Sequence, residues 1–246
     1  MAAPTIRVNN LVKRFGDHEV LKGVTFQILP GRINFLIGRS GEGKTVVLKH
    51  LTGLLAADSG EIWYDDLELS QASPKRLNDL RLRMGLLFQD GALFDSLSVG
   101  ENVAFPLWFH RQARPRQAQA RAESLLSELG LAGAASRRVV SLSTGERKRV
   151  ALARAMIMEP EILFFDEPTT GLDPLLSAQV DELISHAQKS SGATVVVISH
   201  DIAATLTLAD QVSMIDDGKI VASSPPVELR ASSNPVVRRF LAGEAP

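Results

Sequence analysis

The segment Gly38–Thr45 constrains the fold of this chain more than any other feature. It reads Gly-Arg-Ser-Gly-Glu-Gly-Lys-Thr, which matches the pattern Gly-x4-Gly-Lys-Ser/Thr in full. An apolar run, Ile33–Ile37, precedes it and a helical pattern, Thr45–Leu54, follows it. Glycines in such a strand–turn–helix unit let the backbone curl so that its N–H groups point at phosphate oxygens. The sequence therefore predicts a phosphate-binding loop, with a stray glycine-rich turn as the disfavoured alternative.

Two carboxylates follow a second apolar run. Asp166 and Glu167 come directly after Ile162–Phe165. A buried strand that ends in acids places them at the edge of an open α/β sheet where ligands bind. We expect Asp166 to hold Mg²⁺, directly or through water, and Glu167 to orient or deprotonate an attacking water. Paired acids can also be solvated turn residues, which is our expectation for Asp216–Asp217.

Two further polar residues end neighbouring apolar runs. His200 follows Thr194–Ser199, and Gln89 follows Met84–Phe88. A lone histidine or glutamine is more often an ordinary surface residue. Their place at the same predicted sheet edge makes a contact of His200 with a terminal phosphate credible.

The rest of the pattern predicts an α/β fold. The helix Leu175–Gln188 lies between two apolar runs, which indicates β-α-β units and a parallel sheet. Upstream, Ile6–Asn10 and Val24–Ile28 have the alternation of short strands, with turns expected at Gly16–Asp17 and Gly23.

The middle of the chain has a helical pattern. Arg116–Leu129 carries apolar residues at helical spacing, and Ser143 is a candidate N-cap for a helix through Ala155. We therefore predict one domain over residues 1–246. It has an α/β core, an N-terminal antiparallel β layer and a helical insert over about residues 95–145.

Composition excludes several classes of protein. The chain has no cysteine, which rules out disulfides and Cys-based sites. No segment has the roughly 20 apolar residues of a membrane span, and Met1–Asn10 lacks the apolar stretch of a signal peptide. Asp95–Ala155 holds ten basic and five acidic residues. This excess indicates either a solvated helix face or a surface for a partner. No basic stripe is interleaved with aromatics, so nucleic acid is not expected.

The segment Leu142–Glu146, taken together with the glycine-rich loop and the paired acids, resembles the motifs of a known family. It reads Leu-Ser-Thr-Gly-Glu and resembles the signature Leu-Ser-Gly-Gly-Gln of the ATP-binding cassette (ABC) family. Asp166–Asp173 and Ser199–Asp201 also resemble that family, in the right order and spacing. The resemblance covers nearly the whole chain and implies a phosphate-loop ATPase core of ABC type.

The resemblance implies a role for each matching position. Phe15 would stack on adenine, with a small-core role as the alternative, and Asp173 would reach across a dimer. The implied metal ligands are Thr45, Gln89 and Asp166, and the implied catalytic residues are Lys44, Glu167 and His200. The implied ATP contacts are Phe15, Gly38, Arg39, Ser40, Gly41, Glu42, Gly43, Lys44, Thr45, Val46, Gln89, Ser143, Gly145, Glu146 and Asp173.

ABC ATPases work as head-to-tail dimers, so the resemblance implies a homodimer. The loop of one protomer and Ser143–Gly145 of the other would sandwich each ATP. Helix starts would then face the polyphosphate from both sides. The helical insert would pass the motion to a separate multi-spanning permease, with the chain at the cytoplasmic side of the inner membrane.

Three residues depart from the family pattern. Thr144 replaces the first signature glycine, and Glu146 replaces glutamine and brings a negative charge towards the nucleotide. We expect the neighbouring basic residues Arg147–Arg149 to offset that charge. Arg39 stands where proline is common, and its side chain can point to solvent.

A finer resemblance concerns the cargo. The segments Gly91–Phe94, Glu101–Leu107 and Pro235–Leu241 look like the lipid-trafficking branch of the family, the Mla and Mce-type systems. That branch implies phospholipid transport between inner and outer membranes. It also implies a periplasmic lipid-binding MCE-type protein and a small accessory subunit. The alternatives are an importer of amino acids or other small solutes, and a soluble ABC protein.

Overall fold

The computed structural model describes residues 3–89 and 91–244. Asp90, which follows Gln89, lies outside the described residues, as does part of Met1–Asn10. The strands are β1 Ile6–Phe15, β2 His18–Ile28, β3 Ile33–Ile37, β4 Ser59–Tyr64, β5 Leu67–Glu68, β6 Met84–Leu87, β7 Ile162–Asp166, β8 Thr194–Ser199, β9 Gln211–Asp216 and β10 Lys219–Ser224. The helices are α1 Lys44–Leu51, α2 Pro74–Arg81, α3 Val99–Phe109, α4 Pro115–Glu128, α5 Thr144–Met156, α6 Pro174–Ser191, α7 Ile202–Leu208, α8 Pro226–Arg230 and α9 Pro235–Leu241.

A six-stranded sheet forms the centre of the molecule, in the order β10-β9-β3-β8-β7-β6. Its pairs are parallel from β9 to β6, and β10 joins β9 antiparallel. Every residue of β3, β7 and β8 is buried. Strands covered on both faces must be apolar throughout, which explains why they read as continuous apolar runs. The predicted α/β fold is confirmed.

A second, four-stranded sheet has the order β2-β1-β4-β5, and its pairs are antiparallel. This confirms the predicted N-terminal layer, although β1 and β2 are longer than the sequence suggested. The turn expected at Gly23 is wrong, because that residue lies inside β2 with φ +88°. The β1–β2 register shifts beside it, so Gly23 serves an irregularity of the strand and not a chain reversal.

The helices α3, α4 and α5 pack on one another, and α5 also packs on strand β6 of the central sheet. Their contact surface consists of fully buried aliphatic residues, among them Val103, Leu107, Ala122, Leu126 and Val150. The helix α3 begins at a capping box formed by Ser98 and Glu101. Within residues 3–89 and 91–244, no helix has the length and apolarity that crossing a bilayer requires.

The contact between β6 and α5 gives a test of the packing. A Cβ atom on Gly85 would lie 2.2 Å from the backbone oxygen of Ala155 and 2.8 Å from Cδ2 of Leu163. We expect Gly85→Ala to lower the free energy of unfolding by about 1–3 kcal/mol, because the strand or the helix must shift. Urea unfolding measures this, with Ala120→Ser on the exposed face of α4 as the control within about 0.5 kcal/mol. An unchanged unfolding midpoint for Gly85→Ala would contradict the close contact.

Candidate functional site

The glycine-rich loop connects β3 to α1 at the carboxyl edge of the central sheet. A Cβ on Gly38 would lie 2.4 Å from the backbone oxygen of Ile215, and one on Gly43 would lie 2.9 Å from side-chain atoms of Val20 and Leu21. Gly43 also has φ +89° where it precedes the helix. Only glycine fits at these two points, so the loop is held tightly against its neighbours.

Lys44 is buried beneath this loop. Its Nζ donates to the backbone oxygens of Gly38 at 2.9 Å and Arg39 at 2.8 Å, and lies 3.8 Å from Oε1 of Glu167. Burial lowers the pKa of Lys44, while the nearby carboxylates of Glu167 and Asp166 oppose that shift. The ammonium therefore stands at the junction of the loop and the two acids.

Asp166 is the last residue of β7, and its side chain faces α1. Its Oδ1 accepts a hydrogen bond of 3.2 Å from Oγ1 of Thr45. Burial raises the pKa of Asp166, with the hydrogen bond from Thr45 acting in the opposite direction. A carboxylate and a hydroxyl side by side are hard oxygen ligands that suit Mg²⁺. Over the part of the chain that the structure describes, no group of three His, Cys, Asp or Glu could hold a metal.

Glu167 has an unusual backbone and a well-supported side chain. Its φ of 49° is in the left-handed region, which is uncommon outside glycine and often marks functional sites. Its Oε2 accepts from Oγ1 of Thr170 at 3.0 Å and lies 2.8 Å from Nδ1 of His200. The side chain of His200 is 59% exposed, so its ring is accessible from the pocket. The structure thus brings Lys44, Glu167 and His200 together, as the sequence predicted.

Lys148 is a residue of this region to which the sequence analysis assigned no place in the pocket. It is buried on α5, and its Nζ donates to the backbone oxygen of Glu167 at 3.2 Å and to that of Gln89. Lys148 therefore ties α5 to two residues of the pocket. A signal was present in the sequence, because Lys148 shares a helix face with the apolar residues Leu152 and Ala155.

Lys44, Thr45, Glu167 and His200 border a pocket of about 900 Å³. Phe15 lies in its wall and is 49% exposed, which excludes the alternative of a small-core residue. The other predicted site residues in the wall are Arg39, Ser40, Gly41, Gly43, Lys44, Thr45, Val46, Gln89, Glu167 and His200. Gly38, Glu42 and Asp166 belong to the same loop and strand end without lining the pocket.

The carboxyl-terminal part of the chain also reaches this pocket. Phe240, Gly243 and Glu244 line it. The side chain of Arg39 contacts this part of the chain, because its Nη2 donates to the exposed backbone oxygen of Glu244 at 3.1 Å. This contact joins residues that are far apart in the sequence, so the local pattern around Arg39 did not reveal it.

The signature segment lies apart from the pocket. Ser143, Gly145, Glu146 and Asp173 are not among the residues that line it. Ser143 caps α5, with its Oγ accepting from the backbone N–H of Glu146 at 3.3 Å. Asp173 caps α6 by accepting from two backbone N–H groups at 3.0 Å. In one chain, Ser143 and Asp173 therefore cap helices, and none of the four residues lines the pocket.

The charge of Glu146 is neutralised, but not by the residues expected. Its Oε1 lies 2.6 Å from Nη1 of Arg137, and its Oε2 accepts from the backbone N–H of Ser143 at 2.8 Å. The hydrogen bond from Arg137 is the main cause that lowers the pKa of Glu146 to about 2. The expectation that Arg147–Arg149 offset this charge is wrong, since Arg147 donates to the backbone of Leu142 and Lys148 points inward.

Comparison with known proteins identifies the family. The sequence profile described as "ABC transporter" matches residues 21–170. The chain belongs to the ABC transporter family. With this membership and the pocket described above, it is an ATP-binding subunit that hydrolyses ATP, and we refer to it below as the ABC ATPase.

Three similar proteins illustrate the relationship. The chain is 38% identical over 239 residues to the probable ribonucleotide transport ATP-binding protein mkl of Mycobacterium tuberculosis. That alignment covers 97% of this chain and 67% of mkl. The chain is 39% identical over 230 residues to the intermembrane phospholipid transport system ATP-binding protein MlaF of Escherichia coli, covering 94% and 86%. The dimeric ATP-binding cassette MJ0796 in a post-hydrolysis state with ADP and Pi superposes with a TM-score of 0.82 at 28% identity, covering 90% and 98%.

The position of Lys148 gives a second test. We expect Lys148→Met to lower the ATP turnover about ten- to a hundredfold, because the backbone of Glu167 loses a donor that fixes its position. The free energy of unfolding should fall by about 1–3 kcal/mol, since buried carbonyls lose a partner. Steady-state hydrolysis and urea unfolding measure the two effects, and Lys189→Met at the exposed end of α6 is the control. Unchanged turnover would show that Lys148 does not position the pocket.

Proposed function

We propose that the ABC ATPase drives phospholipid movement between the inner and outer membranes, through a separate membrane permease. The observation that carries the ATPase part is the convergence of Lys44, Asp166, Glu167 and His200 at one sheet edge. The cargo is inferred from similarity, and the two parts have separate tests.

The pocket suits ATP along its whole length. Phe15 offers an exposed aromatic face for the adenine ring at one end. The backbone N–H groups of Ser40–Thr45 and the start of α1 provide the site for the phosphates. Lys44 supplies a positive charge at the far end, beside the two acids. Thr45, Gln89 and Asp166 are the residues that would hold Mg²⁺, whose chemistry is to neutralise developing negative charge on the phosphates.

Glu167 is the proposed base. Its Oε2 is occupied by Thr170 and His200, while its Oε1 faces Lys44 at 3.8 Å. This arrangement fixes the plane of the carboxylate, so a water beside it is oriented towards the phosphate and gives up its proton to Glu167. His200 then contacts the terminal phosphate from the neighbouring strand end.

The second half of each site is proposed to come from another copy of the chain. Ser143, Gly145, Glu146 and Asp173 lie outside the pocket of their own protomer, and α5 begins there with N–H groups that an anion would favour. The solved structure of MJ0796 is a dimer. We therefore propose a head-to-tail homodimer in which these residues complete the site of the partner protomer.

A surface on α3 is proposed to contact the permease. Phe94, Phe105 and Phe109 form a row with ring centroids 4.9 Å and 5.6 Å apart, and Phe109 is 68% exposed. Exposed aromatic rows of this kind mark contact sites for other proteins. Phe94 of this row is also the last residue of Gly91–Phe94, a segment that begins two positions after Gln89 in the sequence, so contact there can reach the nucleotide pocket. We propose that the ABC ATPase acts at the cytoplasmic side of the inner membrane, where such a permease would present its contact surface.

The proposed cargo is phospholipid. MlaF of Escherichia coli, which is named for intermembrane phospholipid transport, aligns with 94% of the length of this chain. The segment Gly91–Phe94 resembles the same branch of the family. The similar mkl is named for ribonucleotide transport, so the names of relatives differ in cargo. A periplasmic MCE-type lipid-binding protein and a small accessory subunit are the partners that we propose for the phospholipid function.

A substitution of the base tests the chemistry. We expect Glu167→Gln to retain ATP binding and to lose about 10²–10⁴ in turnover, the usual contribution of a positioned base. Glu182→Gln on the exposed side of α6 is the matched control and should hydrolyse ATP normally. Single-turnover hydrolysis with bound ATP separates binding from chemistry. Hydrolysis by Glu167→Gln at the native rate would refute the assignment.

The cargo has its own experiment. Purification of the tagged chain from membranes in mild detergent should retain a multi-spanning permease together with a lipid-binding protein. The complex, placed in liposomes, should move a fluorescent phospholipid when ATP is added, and the same complex with Glu167→Gln should not. Recovery of a solute-binding protein for amino acids or nucleotides, with no phospholipid movement, would contradict the phospholipid proposal. The assignment of ATP hydrolysis would not be affected.

A further inference from the structure

A bidentate ion pair stands behind the signature segment. Nη1 of Arg137 lies 2.6 Å from Oε1 of Glu146, and its Nη2 lies 3.4 Å from Oε2. The same Nη2 donates to the backbone oxygen of Ser141 at 3.2 Å. One guanidinium therefore binds both the turn before Leu142 and the first turn of α5, and so connects the two sides of the signature segment.

The carboxylate of Glu146 is fully engaged by this arrangement. Oε2 also accepts from the backbone N–H of Ser143, which closes a capping box with that residue. Oε1 is directed to Arg137 and Oε2 to the backbone of Ser143, and the side chain of Glu146 is only 21% exposed. The negative charge is thus paired instead of lying free at the start of α5.

The backbone of Arg137 is fixed independently of the signature segment. Its N–H donates to Ala134 and its carbonyl oxygen accepts from the N–H of Val99, both at 2.9 Å. Val99 is the first residue of α3 and is fully buried. Next to it, Ser98 and Arg138 form a β-bridge. The guanidinium is therefore presented from a rigid base, as a positioning role requires.

We propose that Arg137 is a positioning residue for the trans half of the ATP site. It cancels the charge of Glu146 and holds Ser143 and the start of α5 in the geometry that receives the phosphates of the partner protomer's ATP. This inference rests on the proposed head-to-tail dimer. Without Arg137, the carboxylate would face those phosphates as an unpaired negative charge, and closure of the dimer would be opposed by repulsion.

The test compares four variants of the full chain: Arg137→Gln, Glu146→Gln, the double variant and Arg138→Gln. The readout is the chain concentration at half-maximal ATP hydrolysis, which reports dimer closure, together with the turnover at saturating concentration. Arg137→Gln should raise that concentration about tenfold, the scale of coupled charged pairs, with saturated turnover nearly kept. Arg138 contacts Ser141 through its backbone, so Arg138→Gln is the matched control and should behave as the native chain.

The double variant distinguishes charge from general loosening. Glu146→Gln retains an oxygen for the capping box, so it should raise the chain concentration at half-maximal hydrolysis at most a few-fold. In the double variant, that concentration should return to the value of Glu146→Gln alone, because the carboxylate that Arg137 neutralises is no longer present. Higher salt should also reduce the difference in that concentration between Arg137→Gln and the native chain, since screening weakens the repulsion between the carboxylate and the phosphates. A merely structural role predicts neither effect.

Several results would overturn the proposal. One is equal behaviour of Arg137→Gln and Arg138→Gln, and another is a double variant no better than Arg137→Gln. If Arg137→Gln does not fold, Arg137→Lys replaces it. That variant keeps the charge but loses the bidentate geometry, so its loss should be smaller than the one expected for Arg137→Gln, and a full loss of about tenfold would refute the charge argument. If native hydrolysis per chain is independent of chain concentration, the dimer proposal fails and this inference fails with it.

Discussion

The register of three buried parallel strands is the constraint on which the site depends. In the ladder, Ile37 of β3 pairs with Ser199 of β8, and Asp166 of β7 pairs with Ile198 of the same strand. The three strands therefore end at the same level. The residues that follow them, Gly38, Glu167 and His200, therefore lie at one edge, because the three strands are neighbours in the sheet. Apolar burial along these strands thus determines the positions of the polar groups, and a shift in register would separate them.

The helix α5 relates this pocket to the other half of the proposed composite site. Lys148 points inward from it and binds the backbone of Gln89 and Glu167. One turn earlier, Ser143 and Glu146 form the capped start of the same helix. A helix is stiff over such a distance, so displacement of its start by a partner protomer would be felt at Glu167. In the proposed dimer, the two nucleotide sites would therefore be mechanically coupled through α5.

Local patterns predicted those parts of the site that local sequence determines. The glycine loop, the acids after β7 and the histidine after β8 each follow an apolar run, so periodicity and turn residues were enough. Contacts between distant segments were not accessible in this way. Arg39 meets Glu244, and Arg137 rather than a neighbour of Glu146 neutralises that carboxylate. The irregularity at Gly23 also depends on the pairing of β2 with β1, which a single strand does not reveal.

In the proposed head-to-tail dimer, one chain holds only half of a working ATP site. The molar mass in solution, measured by light scattering, tests this when hydrolysis is blocked by Glu167→Gln so that ATP remains bound. We expect a mass near the 26.6 kDa of one chain without nucleotide, and twice that mass when ATP and Mg²⁺ are added. A mass of one chain at saturating ATP would contradict it.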